Sequence, residues 1–270
     1  MIIIPKRKWL FPITYEKAYM KYLMTLIKII HLAVKNRMPL IRNYLLQHGI
    51  HGDDDTTDDE LDAIIAGVIA EYRLKIAKEA IQAKIRQIFD QVNGMNSEEF
   101  QAELHDALGI DIFESDPWLD KMRNLWAQQN SQLITNMEDT YTNRVADIVS
   151  NAVRNGTSYS DVASQIEDAT GVNERRAQLI ARDQVSTLNG QLTRARQMEA
   201  GISQYKWSTS KDSRVRPLHA AREGIIYSWS DPPRDGNPGE PIHCRCTAIP
   251  VIDTDTLVIG GIPKDIIERG

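Results

Sequence analysis

Apolar side chains recur every three or four residues along most of the chain before Gly201. In residues 14–48 the recurring positions begin with Tyr15, Tyr19 and Leu23, and the lysines fall mostly between them. This spacing places one apolar stripe along a helix and leaves the basic side chains on its other faces. The pattern therefore predicts a basic amphipathic helix over 14–48, which Pro39 is expected to kink or end.

The helical pattern returns at Leu61 and continues, with interruptions, to Ala200. Several glycines and one Asp-Pro pair are expected to divide it, because glycine favours the end of a helix and proline its first turn. Separate helices are predicted on either side of each such position. These boundaries fall at Asn93-Gly94, Gly109, Asp116-Pro117, Gly156, Gly171 and Gly201.

An acidic segment, HGDDDTTDDE, occupies residues 51–60 and has six acids in its last eight positions. Clustered carboxylates suit Ca²⁺, but the segment lacks the glycine and the terminal glutamate of an EF-hand loop. We interpret it as a solvated linker that also supplies negative charge to the start of the next helix.

The pattern changes after Gly201 to short aromatic and β-branched runs. Residues 205–209 and 225–229 are predicted strands, and HCRCTAIPVI, which starts at His243, is predicted as a third. The loop over 231–241 is too rich in proline and glycine to be helical. The predicted fold class is therefore mainly α, with long N-terminal helices followed by a small C-terminal α+β module.

The net charge of −5 over 270 residues hides a strong segregation. Residues 1–48 carry +8, residues 49–171 carry −15, residues 172–250 carry +4, and the remainder carries −2. Such asymmetry indicates that different parts face different partners. We predict four segments: a basic helical arm over 1–50, an acidic helical region over 51–171, the α+β module over 172–252 and a tail over 253–270.

Cysteine content and hydropathy indicate where the protein is made. The two cysteines are Cys244 and Cys246, and few cysteines are typical of a protein kept in a reducing cytoplasm. No apolar run approaches the roughly 20 residues of a membrane span, and the N-terminus does not have the pattern of a signal peptide.

The residues most able to carry chemistry lie between Arg182 and Pro250. In order they are Arg182, Asn189, Trp207, Asp212, Arg214, Val215, Arg216, His219, Gly224, Pro241, Cys244, Arg245, Cys246 and Pro250. This order and spacing resemble the phage Mu F-like domain, the C-terminal module of minor head or head morphogenesis proteins in tailed bacteriophages. The match includes Trp-x4-Asp-x-Arg-Val-x3-His and the closing Cys-Arg-Cys.

The resemblance implies a non-enzymatic virion protein in the capsid interior near the portal, acting in head morphogenesis and in genome packaging or ejection. It implies portal and capsid or scaffold proteins as partners, with multiple copies around the portal. Packaged double-stranded DNA is a further candidate partner, and the host membrane is one during ejection. The candidate contact residues are Lys17, Lys21, Lys28, Lys35, Arg37 and Arg42. A bundle helix with solvated lysines is the plain alternative.

Four side chains near the C-terminus are of types that zinc accepts: His219, His243, Cys244 and Cys246. However, the two cysteines form a single C-x-C pair, whereas structural zinc sites mostly use pairs separated by two to four residues. We therefore predict a structural thiol–histidine cluster without a cofactor, and a zinc site is the alternative.

The remaining polar residues are predicted to stabilise the module through ion pairs. Asp212 is expected to pair with Arg214 or Arg216. Arg245, placed on the predicted third strand, should point away from both thiols and could reach Asp212 or Asp183. Trp207 is the predicted main aromatic of the core.

Two other classes of function remain as alternatives. One is a metal-dependent DNA-processing enzyme using the His/Cys cluster, and the other is a nonspecific DNA-binding protein. The chain has no glycine-rich phosphate loop, no H-E-x-x-H and no G-x-S-x-G, so we predict that it is not an enzyme.

Overall fold

The computed structural model describes residues 1–7, 9–48, 59–109, 116–259 and 262–263. It confirms the predicted fold class, because long helices precede a small antiparallel sheet. The elements are β1 (Ile2–Ile3), α1 (Ile13–His48), α2 (Asp59–Lys75), α3 (Lys78–Leu108), α4 (Leu119–Asn155), α5 (Tyr159–Glu199), β2 (Gln204–Ser208), α6 (Pro217–Ala220), β3 (Ile226–Ser228), β4 (Thr247–Asp253), β5 (Val258–Ile259) and β6 (Ile262–Pro263).

Most of the predicted acidic linker over 51–60 lies outside the described residues. Half of the predicted tail over 253–270 also lies outside them, including everything after Pro263. The last two linker residues, Asp59 and Glu60, are described, and they lie in the first turn of α2. Carboxylates at this position interact favourably with the positive end of the helix dipole.

The predicted N-terminal helix is confirmed as α1, and it continues through Pro39. Pro39 itself is exposed, while the apolar stripe remains buried on both sides of it, from Ile30 and Val34 to Ile41 and Tyr44. Burial of this stripe on both sides offsets the backbone hydrogen bond that proline removes.

Three of the predicted glycine boundaries are confirmed. Gly109, Gly156 and Gly201 follow the ends of α3, α4 and α5 with φ of 69°, 62° and 76°. This left-handed conformation is easily adopted only by glycine. Asp116 also lies at the predicted start of α4, where its carbonyl accepts a hydrogen bond from the backbone of Leu119 at 3.0 Å.

The predicted boundaries at Asn93-Gly94 and Gly171 are wrong, because α3 and α5 run through them. Phe89, Val92 and Phe100 are all fully buried, so one apolar face continues across Gly94. A glycine inside a helix costs only about 1 kcal/mol, which such packing exceeds. The helical run from Leu61 breaks instead between α2 and α3.

The four-stranded sheet has the order β1-β4-β2-β3, and all of its pairs are antiparallel. Strands β2 and β3 confirm the first two predicted strands to within about one residue. The third begins at Thr247 rather than His243, so the Cys-Arg-Cys residues form the turn that leads into β4. Strand β1 was not predicted, and it pairs Ile2 with Asp253.

The chain divides into two compact units, each assembled from separate stretches. The helical unit comprises Ala18–Ile85 and Ala127–Ala181, and the mixed unit comprises Met1–Lys17, Arg86–Trp126 and Arg182–Gly270. The four segments predicted from charge and pattern remain a prediction.

Each unit contains hydrophobic clusters formed by its own described residues. The helical unit contains one large cluster from α1, α2, α4 and α5, with Val34, Tyr72 and Val145 among its fully buried members. The mixed unit contains two smaller clusters, one around Trp9 and Phe100 and one from β2, β4 and their loops. Among the described helices, none has the length and apolar content required to cross a bilayer.

Candidate functional site

Trp207 is the centre of the C-terminal module and is fully buried on β2. The imidazole of His219 meets it edge-on, with ring centroids 5.3 Å apart, and Tyr227 does so at 6.0 Å. The guanidinium of Arg222 lies 5.0 Å above the ring centroid. Trp207 is therefore a core aromatic of the module, in the same cluster as Trp229.

His219, Cys244 and Cys246 lie together beside this ring, and all three are buried. The Nδ1 atom of His219 is 3.5 Å from the Sγ atom of each cysteine. Pro217 starts the short helix α6, which presents the imidazole, and the turn before β4 presents the thiols. The structure thus brings together three of the four predicted metal-ligand candidates.

His243, the fourth candidate, is outside this cluster. Its φ is 58°, a left-handed conformation that a continuous strand would not contain. Its backbone N–H donates to Asp183 at 3.2 Å, and its buried Nδ1 has no hydrogen-bond partner among the described residues.

The imidazole of His219 is held from its other side. Its Nε2 is 3.2 Å from Asp235, and Arg222 donates to the same carboxylate at 2.6 Å. Burial raises the pKa of Asp235, but the hydrogen bonds from Arg222 and His219 outweigh it and hold this pKa below its usual range. Asp235 is therefore a charged acceptor that fixes the orientation of the ring.

The two thiols are not equivalent. The hydrogen bond from the Cys246 thiol lowers the pKa of Cys244 to about 6 against the opposing effect of burial, and it raises the pKa of Cys246. The Cys244 sulfur also accepts backbone N–H groups from Gly239 at 3.5 Å and from Cys246 at 3.4 Å. Negative charge in the pair is therefore concentrated on Cys244.

Two glycines allow the proline-rich loop to approach α5 closely enough to place these cysteines. A Cβ on Gly190 would lie 2.5 Å from the carbonyl oxygen of Pro238, and one on Gly239 would lie 2.8 Å from that of Ser186. The hydroxyl of Ser186 in turn donates to the carbonyl oxygen of Cys244. Any larger side chain at these two glycines would push the loop away from the helix.

Arg245 points away from both thiols, as predicted, although it lies in a turn rather than in a strand. It donates to Glu16 at 2.8 Å and lies 3.9 Å from Asp212, while Asp183 binds His243 instead. Glu16 was missed by the sequence analysis. The sequence feature that could have identified it is that Glu16 is the sole acidic residue among residues 1–48.

The other predicted ion pairs are partly present. Arg214 binds Asp212 at 2.8 Å, and this side-chain bond, followed by one from the Arg214 backbone, lowers the pKa of Asp212. Arg216 donates instead to the carbonyl oxygen of Ile242. These three residues, with Arg182, Arg245 and the His/Cys cluster, line a cavity of about 40 Å³.

The remaining motif residues have structural contacts. Asn189 accepts a hydrogen bond from Asn96 at 3.0 Å. The backbone N–H of Gly224, which has a φ of 79°, donates to Trp207 at 2.8 Å. The carbonyl of Pro241 accepts from the backbone N–H of Cys244 at 2.9 Å.

The sequence analysis also missed Arg196, which is buried and donates to Asn96 at 2.6 Å and to Asp116 at 2.8 Å.

The basic residues proposed for α1 do not all share one face. Lys21, Lys28, Lys35 and Arg42 are exposed and seven residues apart, which places them in one stripe along the helix. Arg37 is half-buried on another face and is ion-paired with Glu71. We call the first four residues the basic stripe; Lys17, also exposed, belongs to the mixed unit.

Comparison with known proteins identifies the class to which this module belongs. Residues 143–249 match the family model described as phage Mu protein F like protein. Residues 143–249 are therefore similar to phage Mu protein F. This match confirms the resemblance inferred from the motif residues.

Two curated relatives are similar over part of their length. A protein of Haemophilus influenzae is 37% identical over 175 residues, which are 63% of this chain and 39% of the relative. A protein of Methanocaldococcus jannaschii is 29% identical over 137 residues, 50% of this chain and 21% of the relative. Both are described as uncharacterised, and the chain spans two fifths or less of either. No solved structure matches this chain.

Proposed function

We propose that this chain is a structural, non-enzymatic minor head protein of a tailed bacteriophage. In this proposal it lies in the capsid interior near the portal and acts in head morphogenesis and in genome packaging or ejection. The observation that carries the proposal is the Mu F-like match over residues 143–249.

The geometry around the motif supports a structural role. The motif residues mostly contact one another, and the cavity beside them, at about 40 Å³, has room for only a few water molecules. Small-molecule sites are usually clefts of roughly 300–1,000 Å³. These contacts support a structural role for the motif residues; none of them lines the larger cavity of about 580 Å³ in the helical unit.

Deletion of the gene from the phage or prophage that carries it tests the proposal. We expect purified wild-type particles to contain the protein by mass spectrometry, and we expect the deletion to give defective heads or particles of greatly reduced infectivity. A plasmid copy should restore infectivity. Fully infectious particles without the protein, or its absence from wild-type particles in a density gradient, would contradict the proposal.

The basic stripe is the surface that we propose for contact with the portal or capsid, and DNA is the second choice. Its four cations extend along one helix face over roughly 30 Å. The described residues give Lys21 and Lys28 no ion pair, whereas Lys35 lies 2.7 Å from Glu167. Several copies around a ring would make individually weak charge contacts collectively strong.

Charge reversal separates this surface from nonspecific charge effects. Tagged Lys21→Glu/Lys28→Glu should lose most of the portal protein that co-purifies with the wild type. The matched control, Lys78→Glu/Lys121→Glu, reverses two exposed lysines elsewhere and should retain it. Equal recovery by both variants would exclude the stripe as the interface.

If DNA is the partner instead, log affinity for duplex DNA should fall steeply with log salt, and a slope near zero excludes DNA.

A further inference from the structure

The His219, Cys244 and Cys246 cluster has the donor set of a soft divalent cation. One imidazole nitrogen and two sulfurs, all buried, lie within 4.8 Å of one another. Zinc in proteins is bound by these same atom types. We propose that these three residues bind a zinc ion that fastens α6 to the turn preceding β4.

The two nitrogen–sulfur separations match those of a tetrahedral zinc site. Zn–N bonds of about 2.0–2.1 Å and Zn–S bonds of about 2.3 Å place nitrogen and sulfur about 3.5 Å apart at a tetrahedral angle. The two observed distances between the Nδ1 atom of His219 and the sulfurs are both 3.5 Å. A cation can therefore replace the hydrogen-bonding protons with little movement of the three side chains.

The surroundings of the histidine are those of a metal ligand. Histidines that bind zinc generally donate their second ring N–H to a carboxylate, which fixes the tautomer and makes the ligand more basic. Asp235 is in this position, 3.2 Å from the Nε2 atom of His219, and it is itself held by Arg222. This arrangement leaves the Nδ1 lone pair of His219 directed at the two sulfurs.

The C-x-C spacing, which argued against zinc at the level of sequence, is compatible with the observed backbone. Cys244 and Cys246 lie in a turn, where both sulfurs reach the same imidazole nitrogen. The third ligand comes from α6, so the ion would close a long loop. Closing such a loop is what stabilises a small module with few apolar contacts.

The fourth coordination position faces the 40 Å³ cavity, which we assign to a water molecule. His243 lines the same cavity, but its ring is outside the group of mutually close donor atoms. It therefore serves as a matched control, being a histidine of the same cavity that is not a ligand.

Metal analysis of the protein, purified without a chelator or a nickel column and then dialysed against zinc, is the primary test. We expect a zinc-to-protein ratio of about one, a fall in Tm on chelation and recovery on adding zinc. Cobalt in place of zinc should give intense tetrahedral absorption bands and a thiolate-to-cobalt charge-transfer band. A wild-type protein that retains no zinc, and whose Tm is unchanged by chelator, would overturn the proposal and leave only a hydrogen-bonded cluster.

Variants identify the ligands. Cys246→Ser keeps a hydrogen-bonding group but should abolish stoichiometric zinc binding and remove the effect of zinc on Tm. Asp235→Asn should weaken zinc affinity about 10–100-fold while the cobalt bands persist, because the ligands are unchanged. His243→Ala should bind zinc as the wild type does. Loss of zinc from His243→Ala, or full zinc binding by Cys246→Ser, contradicts the assignment; if Cys246→Ser does not fold, the wild-type chelation and cobalt measurements still decide.

Discussion

In the helical unit, one apolar cluster runs along four helices, and polar side chains enter it at a few points. Tyr141 is 2.7 Å from the Nδ1 atom of His31 and 3.0 Å from the hydroxyl of Thr170, and Tyr72 donates to Glu138. In the mixed unit, two smaller clusters are accompanied by buried or half-buried charged networks around Arg196, Arg222 and Arg245, with their partners.

The difference reflects how much apolar surface each unit can bury. Long helices provide a continuous stripe, so packing alone can specify the helical unit. The short strands and loops that follow Gly201 cannot provide such a stripe, and this part of the mixed unit therefore fixes its geometry through aromatic rings and oriented ion pairs. All five tryptophans (Trp9, Trp118, Trp126, Trp207 and Trp229) belong to the mixed unit, so tryptophan fluorescence reports its unfolding selectively.

The largest expected effect is from Trp207→Ala, which removes the fully buried centre of the module. We expect a loss of about 3–5 kcal/mol in the free energy of unfolding of the mixed unit, because the large cavity cannot collapse. Urea unfolding followed by tryptophan fluorescence measures it. Val145→Ala, in the helical unit, is the control. It should lower the free energy of unfolding of that unit, measured by circular dichroism, by about 2 kcal/mol and leave the midpoint of the fluorescence transition unchanged. An unmoved fluorescence midpoint in Trp207→Ala would contradict the comparison.

Glu103 provides a pH-dependent test of the mixed unit. Its carboxyl group is fully buried and has no hydrogen-bond partner among the described residues. Burial, together with Glu99 and Asp106, raises its pKa to about 8 against the opposing charges of Arg7 and Lys206. The folded protein therefore keeps a proton that the unfolded chain releases above about pH 4.3.

Stability from Glu103 is consequently present below about pH 4.3, lost as pH rises to 8, and constant above that. Glu103→Gln should remove this loss, which is on the order of 3 kcal/mol. The measurement is fluorescence-detected urea unfolding of both proteins at pH 5 and pH 8. The same fall in stability in wild type and variant would show that Glu103 is not the responsible group.

Arg245→Met breaks the ion pair with Glu16 and leaves this buried carboxylate with the more distant guanidinium of Arg182, at 3.7 Å. The side chains of Arg245 and Glu16 are 13% and 8% exposed. We therefore expect the free energy of unfolding to fall by about 2 kcal/mol, less than for a fully buried ion pair. Adding Glu16→Gln should recover much of this cost, since the weakly paired buried carboxylate is then removed and Arg182, which also faces it, is 33% exposed. A double-variant cycle in urea measures the coupling; purely additive costs would mean that the pair contributes no interaction.

The smallest effects are expected at helix glycines. Gly94→Ala and Gly171→Ala should stabilise the mixed and the helical unit respectively by about 0.5–1 kcal/mol, because alanine favours helix and neither site is crowded. Gly190→Ala is the control within α5, and it should destabilise, since its Cβ would meet a backbone oxygen. Thermal melts of the three variants test this, and destabilisation by both Gly94→Ala and Gly171→Ala would show hidden strain at these positions.

The same contrast explains what could be predicted from sequence. The spacing of apolar residues predicted the long helices, because the buried face of a helix repeats with that same spacing. The helix ends predicted at Gly94 and Gly171 were wrong, because continuous burial of the apolar face overrides the preference of glycine for helix ends. The motif predicted that His219, Cys244 and Cys246 belong to a thiol–histidine cluster. It could not predict the Glu16–Arg245 pair, which joins residues 229 positions apart.

Strand β1 was unpredictable for a related reason: a two-residue strand has no period, and its partner lies near the other end of the sequence.

The pairing of β1 with β4 sets a time order for synthesis. The residues of β1 are synthesised some 250 residues before the strand that they join. Every helix of the helical unit is translated before β4, so this unit can form while the chain is still growing. The sheet therefore closes last, and a chain interrupted before β4 would lack Ile252 and Leu257 and leave the rest of the cluster around Trp9 incompletely covered.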